Sequence, residues 1–338
     1  VRICGVYSLH TTNANYRVLT PLRELARRGH DVTFVELDER GRFDPERLQG
    51  HDVIHVYRRC EPQLVKAIEA QRALGTAITW DNDDDPRLIP PESPVYKEIG
   101  GFQSAKEFRK QRTMMSRAHL VTTTSRVLAE RYAADIDGET QVIENYLSAD
   151  QVADPAGFSD AKVIGWVAGL EHRADAQKLQ ITETLRRVME RMPDVRVITV
   201  GVQLRLDADR YRHIVAAEFG DLPSIIRQFD VGIAPLSDIP MSAARSNIKV
   251  KEYAACGVPW LASARGPYVG LGEGEGGQLL GDDEWEEGLV RFISARFRRR
   301  GLRRRAKSWA KSQLIGRHVG EWEAALDRAI QHASRQVA

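Results

Sequence analysis

Cysteine is scarce. The chain has three in 338 residues, Cys4, Cys60 and Cys256, with no Cys-x-x-Cys spacing. That argues against a disulfide scaffold or a zinc site and fits a reducing compartment, with each thiol read as a small buried hydrophobe. Long hydrophobic runs are missing as well: nothing approaches the ~18 apolar residues of a membrane span. Net charge is nearly absent, because 49 Lys+Arg against 47 Asp+Glu leaves +2. Whole-chain charge therefore gives no reason to expect nucleic-acid binding, and any such argument must come from local patches. No short-period repeat is visible, and 42% hydrophobic with 28% charged residues is a globular balance that argues against disorder, collagen and coiled coil. Val1 opens directly on an apolar strand, the start expected of a trimmed chain with no signal peptide.

What the chain does have is alternation. Short apolar runs at 2–7, 31–35, 52–57, 77–80, 120–124 and 141–143 alternate with helical stretches, the first helix having Thr20 as N-cap, Pro21 at its first position and Gly29 just past its end. A polar, aperiodic stretch over 148–161 interrupts the pattern, which restarts with runs at 163–167, 195–200, 231–235 and 260–262, a helix over about 175–191, and helical text from about 284 to 336. Apolar runs of this length separated by helices mean parallel sheets covered on both faces. The predicted fold class is α/β: two doubly wound Rossmann-like domains facing a central cleft, with C-terminal helices. The expected division is an N-terminal domain over 1–150, a linker over 151–162, a second domain over 163–315, and a last helix over 316–338 that could cross back to the first domain. At 338 residues two domains of ordinary size are expected. Ligands of such sheets bind at the carboxyl ends of the strands, so the cleft is the natural site.

The most informative stretch is Phe229 to Ala264. A strand ends at Pro235-Leu236, a loop follows, and a helix runs from Asn247 to Cys256 and stops at Gly257, with Ser246 or Asn247 as its N-cap. Backbone N–H groups at Ser246, Asn247 and Ile248, with Arg245 and Lys249 beside them, make an anion site, and Glu252 one turn on is placed to accept hydrogen bonds from a sugar diol. A diphosphate joined to a ribose is the ligand this suggests; a plain helix start with solvated charges is the alternative.

Three other segments stand out. Asp81-Asn82-Asp83-Asp84-Asp85 follows the strand at 77–80. Crowded carboxylates raise one another's pKa and invite a cation, a hydroxyl-rich acceptor or a base role, unless the loop is a solvated turn. The loop 8–17, with His10, Tyr16 and Arg17, follows the first strand and should line the cleft; His10 is either a general base or polar surface. The basic run over 291–309 is interleaved with Phe292, Phe297 and Trp309 and reads as a solvated helix face, a peripheral contact with anionic lipid, or a nucleic-acid surface, the last least favoured.

Ser246-Asn247-Ile248-Lys249-x-x-Glu252-Tyr253-x-Ala255-x-Gly257-x-Pro259, preceded by a strand ending Pro-Leu, resembles the donor-binding signature of GT-B glycosyltransferases, closest to the large retaining family 4. Tyr16-Arg17 followed by Pro21-Leu22…Leu25…Gly29-His30-Asp31-Val32, then Ala118 to Ser125, Val142-Ile143-Glu144-Asn145 and Ile164 to Gly169 fall in the family's order, so the resemblance covers about residues 1–270. It implies transfer of a sugar from a nucleotide sugar, by default a UDP-sugar, to an acceptor hydroxyl with retention. No cofactor beyond that co-substrate and no divalent metal is implied, because Arg245 and Lys249 would face the diphosphate. Glu252 matches the glutamate that binds the ribose, while Ala244 stands where the family has a further glutamate. Gly169 matches the turn that lets the backbone approach the ligand, Arg173 is a further basic candidate, and His172 and Asp175 are either capping groups or donor contacts. Val202 and Phe219 are assigned to the base. Asp81, Asp83 and Asp84 are expected to meet the acceptor or the transferred sugar, with Asp81 in a catalytic role. The Asp81/Asp83 spacing also resembles the metal motif of the GT-A fold, which would not explain 163–264. The acceptor could be a glycan, a lipid-linked molecule or a small molecule, and the expected location is the cytoplasm or the inner face of its membrane. The rival readings are a nucleotide-sugar epimerase or hydrolase of the same fold, and a non-catalytic nucleotide-binding module docked by the arginine run.

Overall fold

Each of the apolar runs becomes a strand in the computed structural model, which describes residues 1–8, 13–155, 162–207 and 209–337. β1 (Arg2–Tyr7), β2 (Asp31–Glu36), β3 (Val53–Tyr57), β4 (Ala77–Asn82), β5 (Leu120–Thr123) and β6 (Thr140–Val142) form an all-parallel sheet in the order β2-β1-β3-β4-β5-β6. β7 (Lys162–Ala168), β8 (Val195–Gly201), β9 (Tyr211–Ile214), β10 (Val231–Ala234), β11 (Trp260–Ser263) and β12 (Gly277–Leu280) form a second, ordered β12-β11-β10-β7-β8-β9. The inner strands β3, β4 and β5 are buried along their whole length, because helices cover both faces of a parallel sheet. The fold is α/β with two doubly wound domains, as the alternation predicts. β9 and β12 escape the sequence reading. Both are edge strands with one partner, so neither needs the continuous apolar run of an inner strand; β9 carries Arg212 and His213, and β12 begins on a glycine.

Three local expectations are corrected. Thr20 is not an N-cap: a π-helical turn over Asn15–Leu19 runs straight into the helix Thr20–Arg27, and the Thr20 N–H bonds the carbonyl of Asn15. The helix over 175–191 is two, Arg173–Lys178 and Ile181–Arg191, broken where Gln180 takes a left-handed backbone with φ 49°. The C-terminal text divides into Trp285–Ser294, Arg296–Ser312 and Ile315–Val337.

The last of these helices leaves the second domain and packs on the first. Ile315, Val319, Trp322 and Leu326 join Ile3, Val18, Leu22 and Leu25 in one hydrophobic cluster. The crossing is sewn at Leu147, whose N–H donates to Gln313 O at 2.9 Å and whose carbonyl accepts from Ile315 N at 2.8 Å. The two links between domains therefore run side by side.

Most of the basic run is engaged internally. Arg298 pairs with Glu273 at 2.6 Å and Arg305 lies 3.7 Å from the same carboxylate. Arg303 lies 3.6 Å from Asp230, Lys307 pairs with Asp154, and Arg299 is buried. Phe297 remains exposed. Among the described residues no helix is long and apolar enough to cross a membrane.

Candidate active site

The order of the second sheet reverses between β7 and β10, and a crevice opens there at the carboxyl ends of the strands, where doubly wound sheets bind ligands. Its floor is the turn after β7. Gly169 ends that strand without a side chain, and Gly201 does the same for β8 with φ +84°; a Cβ on Gly201 would sit 2.3 Å from the carbonyl oxygen of Ala168. Two backbones meet there at a spacing that only glycine permits.

Two cavities share this crevice. The larger, about 330 Å³, is lined by Gly169, Glu171, Gly201, Ala216, Ile248, Lys249 and Glu252, and closed from the N-terminal domain by Asn13 and Tyr16. The smaller, about 80 Å³, brings Asp83 and Asp84 opposite His172, Arg245, Ser246, Ile248 and Lys249. Residues more than 160 positions apart thus line one space, and both cavities touch the start of the helix Ile248–Ala255. That helix is anchored by Lys251 on its other side, whose buried ammonium donates to Glu144 Oε2 at 2.8 Å and to Asn145 O at 3.0 Å.

The charged groups are held by networks the sequence does not reveal. Ser237 donates its N–H and hydroxyl to Asp175 Oδ1, each at 2.8 Å; Asp175 Oδ2 lies 2.7 Å from His172 Nδ1, and His172 Nε2 lies 3.2 Å from Arg245 Nη1. Burial, with Arg245 and Lys249 adding to it, pushes His172 down to about 4. The neutral ring donates from Nδ1 to the carboxylate and accepts from the guanidinium at Nε2, the one tautomer that satisfies both partners. His172 and Asp175 are therefore a relay that aims Arg245, a third possibility beside capping and direct donor contact. Burial also lowers the Lys249 pKa, against the pull of Glu252 and Glu171.

Glu252 is buried, and burial raises its pKa, with Lys249 and Tyr16 opposing. The Tyr16 hydroxyl donates to Glu252 Oε1 and accepts from Gln151 Nε2 at 2.6 Å. A side chain of the first domain thus orients the glutamate expected to hold the ribose.

Several assignments are corrected. Asp81 is not at the cleft. β4 extends to Asn82, which puts Asp81 on the inward face with no exposed surface, and its oxygens accept from Arg17 Nε at 2.9 Å, Arg17 Nη2 at 2.6 Å and Thr122 Oγ1 at 2.6 Å. Arg17 is equally buried: it also donates to Ile143 O at 2.6 Å and lies 4.8 Å from the centre of the Trp322 ring. Both are joints of the core. Asp83 has partners of its own, accepting from Tyr57 Oη and from Arg58 Nε, each at 2.7 Å. Asp83 and Asp84 do reach the small cavity, tethered by Arg58. Burial pushes Asp84 up to about 6, with Arg58 opposing and Asp83 adding.

Asn247 occupies the cap position of its helix but makes no side-chain cap bond and lines neither cavity, because its amide turns toward Glu144 at 3.5 Å. Arg173 is exposed and lines a separate groove with Arg186 and Arg205. Phe219 packs edge-on against Tyr16, with ring centres 5.2 Å apart, and lines a neighbouring cavity; Val215 to Ala217 of the same loop line the main one. Val202 is in the core. His10 lies outside the described residues. The sequence reading missed Glu171, which lines both cavities; its only sequence signal is its place two residues after the Gly169 turn.

Residues 161–295 match the family model for glycosyl transferases group 1. No curated protein compared with the chain matches it. Solved structures that resemble it include sucrose-phosphate synthase from Thermosynechococcus elongatus, 15% identical with a TM-score of 0.66 over 97% of this chain and 100% of that one. HepE from Anabaena, in complex with UDP and glucose, is 14% identical with a TM-score of 0.65 over 95% and 99%. A UDP-forming trehalose-phosphate synthase from Burkholderia xenovorans is 13% identical with a TM-score of 0.59 over 97% and 99%. At such identities the likeness is one of fold. The chain has the GT-B fold, and the match to the group 1 glycosyltransferase model falls within its second domain.

Proposed function

From a GT-B chain whose second domain matches group 1 glycosyltransferases, we propose an enzyme that moves a sugar from a nucleotide sugar to an acceptor hydroxyl. The observation that carries this reading is the larger cavity, where Lys249, Glu252, the start of the Ile248 helix and the bare Gly169 turn face one another. In it the diphosphate lies against the helix N-terminus with Lys249 as counter-ion and Arg245 reaching it from the adjoining smaller cavity, and the ribose hydroxyls donate to Glu252. As the sugar–phosphate bond breaks, negative charge grows on the departing diphosphate, and cations already in position stabilise it without rearranging. Those cations do the work a divalent metal would do. The Tyr16–Glu252 contact lets the first domain close over the donor and exclude water.

UDP is the expected nucleotide, on the family resemblance and on the fold likeness to proteins that hold or form UDP. Retention, with the acceptor attacking from the face the diphosphate leaves, rests on the family resemblance. Asp83 and Asp84 face the acceptor side, where Asp84, whose pKa lies closer to neutrality than an ordinary carboxyl, takes the base role the sequence reading gave to Asp81. The three thiols are unpaired, in keeping with a cytoplasmic enzyme. A peripheral membrane contact through 291–309 would fall to Phe297 and the outward arginines around it.

Calorimetry with UDP, dTDP and GDP tests the reading. The parent chain binds one of them, and Lys249→Ala weakens that binding by about 10- to 100-fold, the range for losing a hydrogen bond to a charged group. Unaltered affinity in the variant would place the donor elsewhere. Product analysis with and without acceptor alcohols separates transfer from the epimerase and hydrolase readings: free or epimerised sugar alone refutes transfer. Binding without any turnover would support the non-catalytic module.

A further inference from the structure

One carboxylate stands between the two cavities. Glu171 lines the larger one with Lys249 and Glu252 and the smaller one with Asp83, Asp84 and Arg245. Its side chain folds back over the Gly169 turn: a Cβ built on Gly169 would lie 2.2 Å from Glu171 Oε2, so the missing side chain at 169 is what makes room for this carboxylate. The Glu171 Oε1 atom lies 3.6 Å from Arg245 Nη1 and 3.9 Å from His172 Nε2. Both separations exceed hydrogen-bond length, so the carboxylate is attracted to the cationic cradle without being used up by it. Burial works against its charge, but Arg245 and Lys249, joined by His172 once that ring is protonated, outweigh burial and hold the group at about 2, ionised at every working pH.

We infer that Glu171 meets the transferred sugar, accepting hydrogen bonds from its hydroxyls while Arg245 and Lys249 take the diphosphate. The inference rests on the donor reading above and names the group at the sugar end of that same site. A permanent carboxylate repels phosphate and accepts from a diol, so it sorts the two ends of a nucleotide sugar. Its position at the junction of the two cavities is where a sugar passing from nucleotide to acceptor must lie. Positive charge that develops at the anomeric carbon is stabilised by an anion already at hand. Residue 244 supplies no carboxylate here: Ala244 is buried against the first domain's core, its carbonyl accepting from Ser125 Oγ at 2.8 Å.

The test is Glu171→Gln, which keeps shape and removes charge, with Glu171→Asp as the conservative partner. Calorimetry uses UDP alone and then UDP-glucose, UDP-galactose and UDP-N-acetylglucosamine. The parent prefers one of these sugars over UDP, and in Glu171→Gln that preference falls about tenfold or more while UDP itself binds as before or more tightly. Turnover falls with it, and Glu171→Asp recovers part of both. If UDP and every UDP-sugar gain affinity by the same factor, Glu171 merely screens the cradle and the inference is overturned. It is equally overturned if the preference is unchanged, or if the parent shows none. A parent that binds no nucleoside diphosphate refutes the donor reading, and this inference with it. Melting of the variants at the parent temperature excludes unfolding as the cause.

Discussion

Replacing Asp81 by Asn removes the charge that faces Arg17 and leaves the shape of the side chain nearly unchanged. The guanidinium stays where it is, without solvent access, held by Ile143 O and by Asn145 Oδ1 at 3.1 Å. It loses the bidentate acceptor, and one of the two new amide positions presents N–H groups to its own N–H groups. An uncompensated buried charge of this kind costs about 3–5 kcal/mol. At roughly 2–4 °C per kcal/mol for a domain of this size, the melting temperature falls by roughly 6–20 °C. Urea unfolding at pH 7, followed by the fluorescence of buried Trp80 and Trp322, measures the loss; the midpoint moves and the slope does not. Turnover by the folded fraction stays within a few-fold of the parent, because Asp81 does not reach the cleft. The double variant Arg17→Met/Asp81→Leu loses less than the two single losses combined, since removing both charges leaves neither stranded. Intact stability with lost turnover in Asp81→Asn would return this residue to the active site and refute its assignment to the core.

Two further outcomes follow from packing and burial. His172 titrates near 4 when folded but near 6.5 when unfolded, so the unfolded chain takes up the proton first and stability falls as pH drops from about 6.5 to about 4, by up to roughly 3 kcal/mol. His119, also held at about 4 by burial with Arg72 adding, contributes with the same sign, while Asp84, raised to about 6, opposes both. The readout is therefore the difference between the parent and His172→Gln in urea stability from pH 7 to 4.5, and identical slopes would refute it. Gly165→Ala places a Cβ 2.0 Å from the Phe229 ring in the middle of β7. It destabilises by about 1–3 kcal/mol in the same urea assay, and Phe229→Leu in the same chain recovers part of that.

The amino-acid sequence by itself determined ten of the twelve strands, the two doubly wound domains, and the local constellation Arg245, Ser246, Ile248, Lys249 and Glu252. Those features depend on apolar runs, glycine turns and helix spacing, which are written into neighbouring residues. Tertiary structure alone decided which carboxylates of the acidic run line the cleft. Asp81 lies within the buried strand β4 and is turned to Arg17, 64 positions earlier, while Asp83, past the end of that strand, lines the cavity. The same holds for the line Ser237–Asp175–His172–Arg245, whose ends lie on different loops, and for Glu171, whose role depends on a missing side chain at Gly169 and on cations more than 70 residues away. Propensity and periodicity act over one or two turns of chain. Charge, burial and hydrogen bonding act between whichever residues the packing brings within a few ångströms, and that pairing does not exist until the chain has folded.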